Sequence, residues 1–470
     1  MRQFYITKEK SCDVIVAGGG CAGVSAAVAA ARHGAKVMLL EASGVLGGAM
    51  TNGIVTPLSS TASRDRKPFG GLIGEIIAET RRLAKSYAAN EENMADTLCA
   101  PHIIKYVLLK LCADAGVEIL FHTTLLDADA ADGSITAVYA ATKSGIVRIT
   151  AAQFIDATGD GDLAAMVGEE MVLGSEPDVY QKLYGTGLET RHFDDTKADA
   201  ISGMAHEAGL MQPVSIFFVM GGVEYARAAA LNNKKMTYED LGIPREEFAK
   251  LPYAGTPGFE ENGDLVPLPQ GRVLVFRGVR QDMAVINMTR LVGINGADAD
   301  SLNRGELLTQ LQLMAVVDLL KRYIPGFERA YLMDSGCTLG IRETRRLVGE
   351  YVLSASEVIY CTRFEDAVAR GSYIIDIHDP KGKNAAIGGE IKGMFYEIPY
   401  RSLKAVKNKN LHVCGRCISA DHIAHSSTRI QGTCILTGQA AGTAAAMAMG
   451  GAVEPDALRA ALIADGVRLD

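Results

Sequence analysis

Cys414 and Cys417 stand three positions apart in a stretch, residues 412–442, that also carries Arg416, His422, His425, Ser426, Ser427, Arg429 and Gln431. Two thiols at that spacing can form a redox dithiol, and imidazoles beside a guanidinium can move protons and hold an anion. A working dithiol needs an acidified first thiol, usually at a helix N-terminus, whereas "LHV" before Cys414 reads as a strand end. The cysteines are therefore expected to sit where other groups do the chemistry. His422 or His425 is the candidate proton donor or acceptor. Arg429, with Arg342 in "GIRETRR", is the candidate for a forked hold on a carboxylate or oxyanion. A purely structural reading instead pairs these arginines with Glu343, Glu350 or Asp421 and bonds the histidines to backbone. His378 with Asp376 and Asp379 has the residue types of a metal site, but that spacing recurs by chance. A solvated loop is expected there and no metal is assigned.

The elements that must position these groups begin near the other end of the chain. "DVIVA" at 13–17 is a short, apolar, β-branched run that reads as a buried parallel strand. Gly18, Gly20 and Gly23 follow in the pattern GxGxxG, then an alanine-rich helical stretch, then a second strand "KVMLL" ending in Glu41. That order is a dinucleotide-binding fingerprint, and each part has a physical task. Gly18 makes the tight turn, Gly20 lets backbone approach a pyrophosphate, and Gly23 lets helix pack on strand. The helix N-terminus offers N–H groups to the anion, and Glu41 accepts from ribose hydroxyls. Cys21 and Ala22 fall inside the loop, and Cys21 reads as packing. The fingerprint alone leaves FAD and NAD open.

Composition bounds the partners. The 470 residues carry a formal net charge of -8 with no long Lys/Arg run, which removes the electrostatic footprint of nucleic-acid binding and leaves small molecules. A hydrophobic content of 48% and a charged content of 22% belong to a well-cored globular chain. The first residues show no secretory signal pattern, so a cytoplasmic location is expected, and nine cysteines, an odd number, read as reduced thiols. "CILTGQAAGTAAAMAMGGAV" has the length of a membrane span but is too rich in Ala, Gly, Thr and Gln; a buried helix is expected and no membrane span.

The residues after Glu41 favour FAD. "ASGVLGGAMTNG", with Gly47-Gly48, resembles the FAD-binding half of glutathione-reductase-like flavoproteins, in the branch that includes fumarate reductases and amine oxidases. Three further segments carry the resemblance: "GVEILFHTTLLDADAADGSITAVYA", "FIDATGDGDLAAMVG" and "NLHVCGRCIS". The subgroup is similar to the bacterial FAD-dependent oxidoreductase family, through the GRCISA segment, the GQAAGTAAA helix, "GIRETRRLVGEY" at 340–351 and "IPYRSL" at 398–403. The match is good over 12–60, 117–170 and 336–450, and poor between about 175 and 330.

This resemblance implies FAD as cofactor and a set of contacts. After Glu41 they are Ala42, Gly47, Gly48, Met50 and Thr51; near the adenine, the backbone at a strand end close to Leu125; beneath the cofactor, Ala157, Thr158, Gly159 and Asp162. Gly415 and Arg416 follow the last strand, with Arg416 standing where many relatives carry an acid for the ribityl chain. Gln431, Gly432 and Thr433 precede an alanine-rich helix, expected to start near Cys434, whose N-terminus would face the flavin N1 and O2 edge and stabilise charge there on reduction. The stretch from His422 to Arg429 is expected as a loop past the isoalloxazine.

The expected fold class is α/β: a Rossmann-like, glutathione-reductase-like FAD-binding domain with an inserted α+β substrate domain. The domain reading assigns 1–168 and 406–470 to the FAD-binding part and 169–405 to the substrate or cap part. In the latter, "VSIFFVM", "GRVLVFRGV" and "DMAVINMTRLVGI" read as strands and "RGELLTQLQLMAVVDLLKRY" as an amphipathic helix. Residues 68–110 read as mostly helical. No second GxGxxG follows a strand, so electrons are expected from the substrate, a shared site or a separate electron-transfer protein. The leading expectation is hydride or electron-pair transfer between FAD and a small polar organic molecule. A disulfide reductase using Cys414 and Cys417, a redox-neutral flavin lyase or isomerase, and a non-catalytic FAD scaffold are the alternatives.

Overall fold

Short apolar runs without polar interruption belong in a sheet covered on both faces. The computed structural model describes residues 5–87, 100–177, 208–252, 254–261, 264–382 and 386–470. In it β1 (Val14–Ala17), β2 (Val37–Leu40), β3 (Glu118–Leu120), β4 (Gln153–Asp156) and β5 (Leu411–Val413) form one parallel sheet in the order β5-β4-β1-β2-β3. Every residue of β1 and β2 is buried. Ile15, Ala17, Met38 and Leu40 face a second sheet, made of Ile6–Ser11, Gly145–Thr150, Ser134–Thr142 and Thr124–Ala131. Val14, Val16, Val37 and Leu39 face the opposite side, where helices cover them.

Those helices tie the two ends of the chain together. α1 (Cys21–Arg32) leaves β1, and the short α2 (Asp162–Met166) leaves β4. After β5 come α3 (His422–Thr428) and α4 (Gln431–Ala448), the latter buried from Gln431 to Ala445. α4 lies directly on α1. A Cβ on Gly438 would stand 2.1 Å from Ala22 O, and one on Gly442 would stand 2.1 Å from Ala26 O, so the two helices meet backbone to backbone. Small residues at four-residue spacing permit that approach. The weakly hydrophobic C-terminal stretch is thus a buried helix, and among the described residues no helix is long and apolar enough to cross a membrane.

A third, antiparallel sheet has the order Val275–Arg277, Ala284–Ile286, Phe218–Gly221, Tyr331–Ser335. The helix Ala299–Tyr323 packs with it around Phe218, Phe248, Phe259, Leu319, Leu320 and Phe327. The three expected strands fall in this sheet. The expected helix starts five residues earlier than Arg304, because Asp298 caps it by accepting from Ser301 N at 2.8 Å. Leu353, Val358, Val368, Tyr396, Ile398 and Leu403, by contrast, share the core of α1 and α4.

Three local expectations are corrected. Leu125 is not at the end of the strand beside β2: β3 stops at Leu120, and Leu125 lies in Thr124–Ala131 opposite Ala140 of the second sheet. The break falls at His122, whose φ of 50° is left-handed and cannot continue a strand. Residues 422–428 form α3 rather than a loop, since Asp421 accepts from Ala424 N at 2.8 Å and caps a helical turn. α4 begins at Gln431, not near Cys434. Within 68–110, the helices Gly71–Tyr87 and Pro101–Asp114 are present, and residues 88–99 lie outside the described residues.

Gly438→Val tests the α1–α4 contact. Overpacking at this site is expected to lower stability by about 1–3 kcal/mol, read by chemical denaturation. Unchanged stability would show that the helices can separate freely.

Candidate functional site

The turn from β1 into α1 admits only glycine at two of the three glycine positions of its GxGxxG pattern. Gly18 has φ of 97°, and its Cβ would stand 2.6 Å from Ala157 O; a Cβ on Gly23 would stand 1.8 Å from Gly18 O. Gly20 differs, because nothing lies within 4 Å of where its Cβ would be. α1 starts there without a side-chain cap, and its first-turn N–H groups have no intrahelical acceptor. An open notch over such groups can hold a pyrophosphate. Glu41 closes one side: Oε2 accepts from Gly19 N at 2.8 Å and Oε1 from Ser43 N at 2.7 Å. Both oxygens retain lone pairs for hydroxyl donors. Gly47 N donates to Gly19 O at 2.8 Å, and Thr51 Oγ1 to Leu46 O at 2.7 Å, so the Gly47, Gly48, Met50 and Thr51 segment is bound to the same loop. Ala42 is exposed at its edge. The Cys21 thiol is pushed up to about 11 by burial, and Ala22 is buried under α4, so both pack. The backbone that meets Glu41 from β3 is His122–Thr123, where His122 N donates to Ser43 O and Thr123 N to Glu41 O, at 3.1 and 3.0 Å. The sequence reading put the strand end that would meet adenine near Leu125, and the segment that ends beside Glu41 is instead 122–123.

Across the notch, Asp156 builds the turn that follows β4. Oδ1 accepts from Thr158 N at 3.0 Å and Thr158 Oγ1 at 2.8 Å, while Oδ2 accepts from Ala164 N at 2.9 Å. Burial pushes its carboxyl up. Ala157, Thr158 and Gly159 thereby lie against Gly18 on one side and Arg416 on the other. Arg416 spans a junction: Nε donates to Gly159 O at 2.8 Å, Nη2 to Asp160 Oδ1 at 2.7 Å and Nη1 to Ile341 O at 2.6 Å. Asp162 pairs with Arg345, yet burial, followed by the nearby Asp160, pushes its carboxyl up to about 6. Gly415, at φ of 79°, donates its N–H to Thr437 Oγ1 at 3.1 Å.

α3 and the start of α4 bring the remaining candidates together. Gly432 has no free space: its Cβ would stand 2.4 Å from Ser60 O, and its N–H donates to Ser59 O at 3.2 Å. Thr433 Oγ1 lies 3.0 Å from Ser60 Oγ. Gln431 Nε2 donates to Val55 O at 3.0 Å, while its Oε1 is buried and has no partner among the described residues. Thr428 Oγ1 and Thr56 Oγ1 share that condition.

The histidines of α3 are fully buried. His422 Nδ1 lies 2.6 Å from Glu343 Oε1, and Arg346 also binds that carboxylate. Arg346 in turn reaches Glu176 Oε1 at 2.7 Å and Ala420 O at 2.9 Å. Burial alone would push the Glu343 carboxyl up, but His422 and Arg346 more than reverse this and hold it below the usual range. Burial pushes His425 well down, and neither of its ring nitrogens has a hydrogen-bond partner among the described residues. The structural alternative that paired Arg342 or Arg429 with Glu343 is not met: Arg346 binds this carboxylate instead.

Those two arginines form a separate wall. Arg342 is buried, with Nη1 donating to Pro213 O at 2.6 Å, and burial followed by the neighbouring Arg429 pushes its guanidinium down to about 9. Arg429 Nη2 donates to Asp376 O at 3.1 Å and Gln212 Oε1 at 3.3 Å, and its Nε has no partner among the described residues. Arg290 joins from the third sheet's side, with Nη2 donating to Asp379 O at 2.9 Å. Asp376 and His378 follow the alternation of the strand Ile375–Ile377 and meet at 3.6 Å. The expected solvated loop is therefore buried at His378 and Asp379. Among the described residues no cluster could hold a metal ion. Arg290 and Gln212 were missed in the sequence, and His378 was weighed there only as a metal ligand; the Asp-x-His alternation in a strand was the one available signal for the wall.

Cys414 and Cys417 are fully buried, and burial raises both thiols well above their ordinary range. Cys417 Sγ donates to Cys414 O at 3.6 Å. Neither has the acidic, accessible thiol of a redox couple.

A family model described as FAD dependent oxidoreductase matches residues 13–466. The chain belongs to that family. This FAD-dependent oxidoreductase is accordingly an FAD enzyme with a mixed α/β fold built on a parallel sheet. No curated protein matches it. It is similar to a flavin-dependent brominase, with 11% identity, TM-score 0.46 and coverage of 97% of this chain and 83% of that one. It is also similar to a geranylgeranyl bacteriochlorophyll reductase-like protein from Thermoplasma acidophilum, with 12% identity, TM-score 0.42, and coverage of 97% and 83%. A p-nitrophenol 4-monooxygenase from Pseudomonas putida gives 8% identity, TM-score 0.43, and coverage of 98% and 85%.

The residues fit the cofactor. Gly20 leaves an open notch over a helix N-terminus, and Gln431 Oε1, Thr428 Oγ1 and Thr56 Oγ1 are buried polar atoms in want of partners. Each such atom costs about 1–3 kcal/mol when left alone, and the polar edge of a flavin can satisfy it.

A role for Glu41 at the adenosine end predicts that Glu41→Ala weakens FAD retention at least tenfold, about 1.4 kcal/mol, with unchanged circular dichroism. Equal affinity in equilibrium dialysis removes Glu41 from the site. Replacing both Cys414 and Cys417 by serine is expected to leave flavin photoreduction and reoxidation rates within about twofold; loss of redox cycling with FAD still bound would restore the dithiol.

Proposed function

We propose that the enzyme passes a hydride or an electron pair between FAD and a small polar organic substrate whose carboxylate or oxyanion rests on Arg342 and Arg429. The observation that carries this reading is the arginine wall: two guanidinia from different segments, neighbours in a buried region, with Arg429 Nε left without a partner among the described residues. Like charges held together out of water are costly, and the Asp376 carboxylate that acts on both carries only one negative charge, which leaves a place for a bound anion. Bound FAD supplies the redox step.

In this reading Gly18, Gly20 and Gly23 with the N-terminus of α1 hold the pyrophosphate, and Glu41 holds the ribose. Thr158, Gly159, Asp162, Gly415 and Arg416 flank the ribityl chain. Gln431, Gly432 and Thr433 set the start of α4 at the flavin's pyrimidine edge, where the helix N-terminus favours negative charge. Residues 1–168 and 406–470 form the glutathione-reductase-like FAD-binding part. The inserted substrate part lies within 169–405, and the shared core of residues 353–403 with α1 and α4 supports counting that segment with the FAD-binding part. Electrons leave or arrive through the substrate or a separate electron-transfer protein.

The test is an anaerobic screen in which photoreduced protein meets unsaturated acids, keto acids and quinones, and oxidised protein meets alcohols, sugars and amines. At least one organic anion is expected to change the flavin's redox state in a saturable way, with Arg342→Gln raising its half-saturation concentration at least tenfold. Redox cycling only with uncharged compounds, unaffected by Arg342→Gln, would overturn the arginine assignment.

A further inference from the structure

The sequence put the proton-carrying role on His422 or His425, and the structure gives both a different setting. Their rings are fully buried, and His422 is bound into the network of Glu343, Arg346 and Glu176. A proton carrier must meet the substrate: the His422 ring is closed off by its own ion-pair network, and the His425 ring, whose nitrogens have no hydrogen-bond partner among the described residues, has no exposed surface. His378 stands differently. Its side chain keeps 11% of its exposure, Nε2 lies 3.6 Å from Asp376 Oδ2, and Nδ1 has no hydrogen-bond partner among the described residues. Its backbone N–H donates to Gln212 Oε1 at 3.0 Å, the same oxygen that accepts from Arg429 at 3.3 Å. Gln212 therefore ties the His378 backbone to the Arg429 guanidinium, and its own Nε2 is buried with no partner among the described residues.

We propose that His378, held by Asp376, is the imidazole that faces the substrate and exchanges the proton accompanying hydride transfer. The inference rests on the reading that Arg342 and Arg429 hold the substrate's anionic group. In the oxidative direction a substrate C–H bond breaks and its hydride goes to FAD, while the proton of the adjoining O–H or N–H goes to the free Nδ1 of His378. In the reductive direction the same proton returns from His378 to the substrate atom next to the one that receives hydride. Asp376 acts as the positioning residue, holding Nε2 so that Nδ1 stays directed away from it.

The surrounding charges suit this exchange. The groups acting on the ring are Arg342, Arg429 and Asp376, with Arg290, Tyr373 and Asp379 completing the neighbourhood. Burial, then Arg342, pushes the imidazole down to about 3, which keeps it neutral in the free site. An anion bound between Arg342 and Arg429 offsets their push, so that Asp376 then acts against burial alone. The ring's readiness to carry a proton therefore rises when a substrate anion is in place.

The test uses FAD-loaded protein labelled with 13C at the histidine Cε1 position, with sodium acetate as the carboxylate probe and sodium chloride at equal ionic strength as the control. His378→Asn identifies the His378 resonance. The expected result is a neutral ring down to about pH 5 in chloride, and a titration midpoint at least one pH unit higher with saturating acetate, accompanied by a change in the flavin absorption spectrum. In Asp376→Asn the acetate-induced rise is expected to shrink. A midpoint that ignores acetate while the flavin spectrum responds overturns the role of His378 and leaves the arginine wall standing. A flavin spectrum indifferent to acetate overturns both.

Discussion

Everything at the candidate site depends on the contact between α1 and α4, two helices drawn from opposite ends of the chain. Gly438 and Gly442 bring α4 onto the carbonyls of Ala22 and Ala26, a distance no other residue type allows. One helix begins at the Gly18–Gly23 notch and the other at Gln431. The separation between the two N-termini is therefore set by backbone contact rather than by flexible side chains. Such packing is rigid, and a cofactor that must touch both ends needs that rigidity.

The buried charges divide into two kinds. Glu343, Arg346, His422 and Glu176 form a closed set in which acids and bases answer one another, and this set fixes α3 against the segment at 343–346. Arg342 and Arg429 lie close by and are not closed in the same way: backbone carbonyls and one amide oxygen accept from them, and the Asp376 carboxylate that acts on both is shared with His378. A satisfied network holds the fold, and an unsatisfied one waits for a ligand. The contrast within a few residues of "GIRETRR" separates scaffold from site more sharply than residue type does.

The sequence made the dinucleotide half of the molecule legible because its signals are local. Strand, glycine turn, helix and acid follow one another, and Gly18, Gly20, Gly23 and Glu41 take the positions that order requires. The buried nature of α4 was legible from its small, weakly apolar residues. Leu125 was misplaced because the strand break depends on one left-handed residue, His122, which no hydrophobic pattern marks. α3 was read as a loop because all of its seven residues except Ile423 are polar or small, and its helix rests on the Asp421 cap and on burial that only the tertiary structure supplies. His378, Gln212 and Arg290 come from segments far apart in the chain, so no spacing rule connects them.

Arg416 joins the cofactor's floor at Gly159 and Asp160 to Ile341 O, one residue from Arg342. Two ligand sites that share such a strut cannot be tightened separately. Whatever factor FAD adds to the grip on an anion at Arg342, the anion must return to the grip on FAD, because their coupling is a single free energy. If FAD binds at this floor as proposed, Arg416 would be a line of communication between the two compounds that must react.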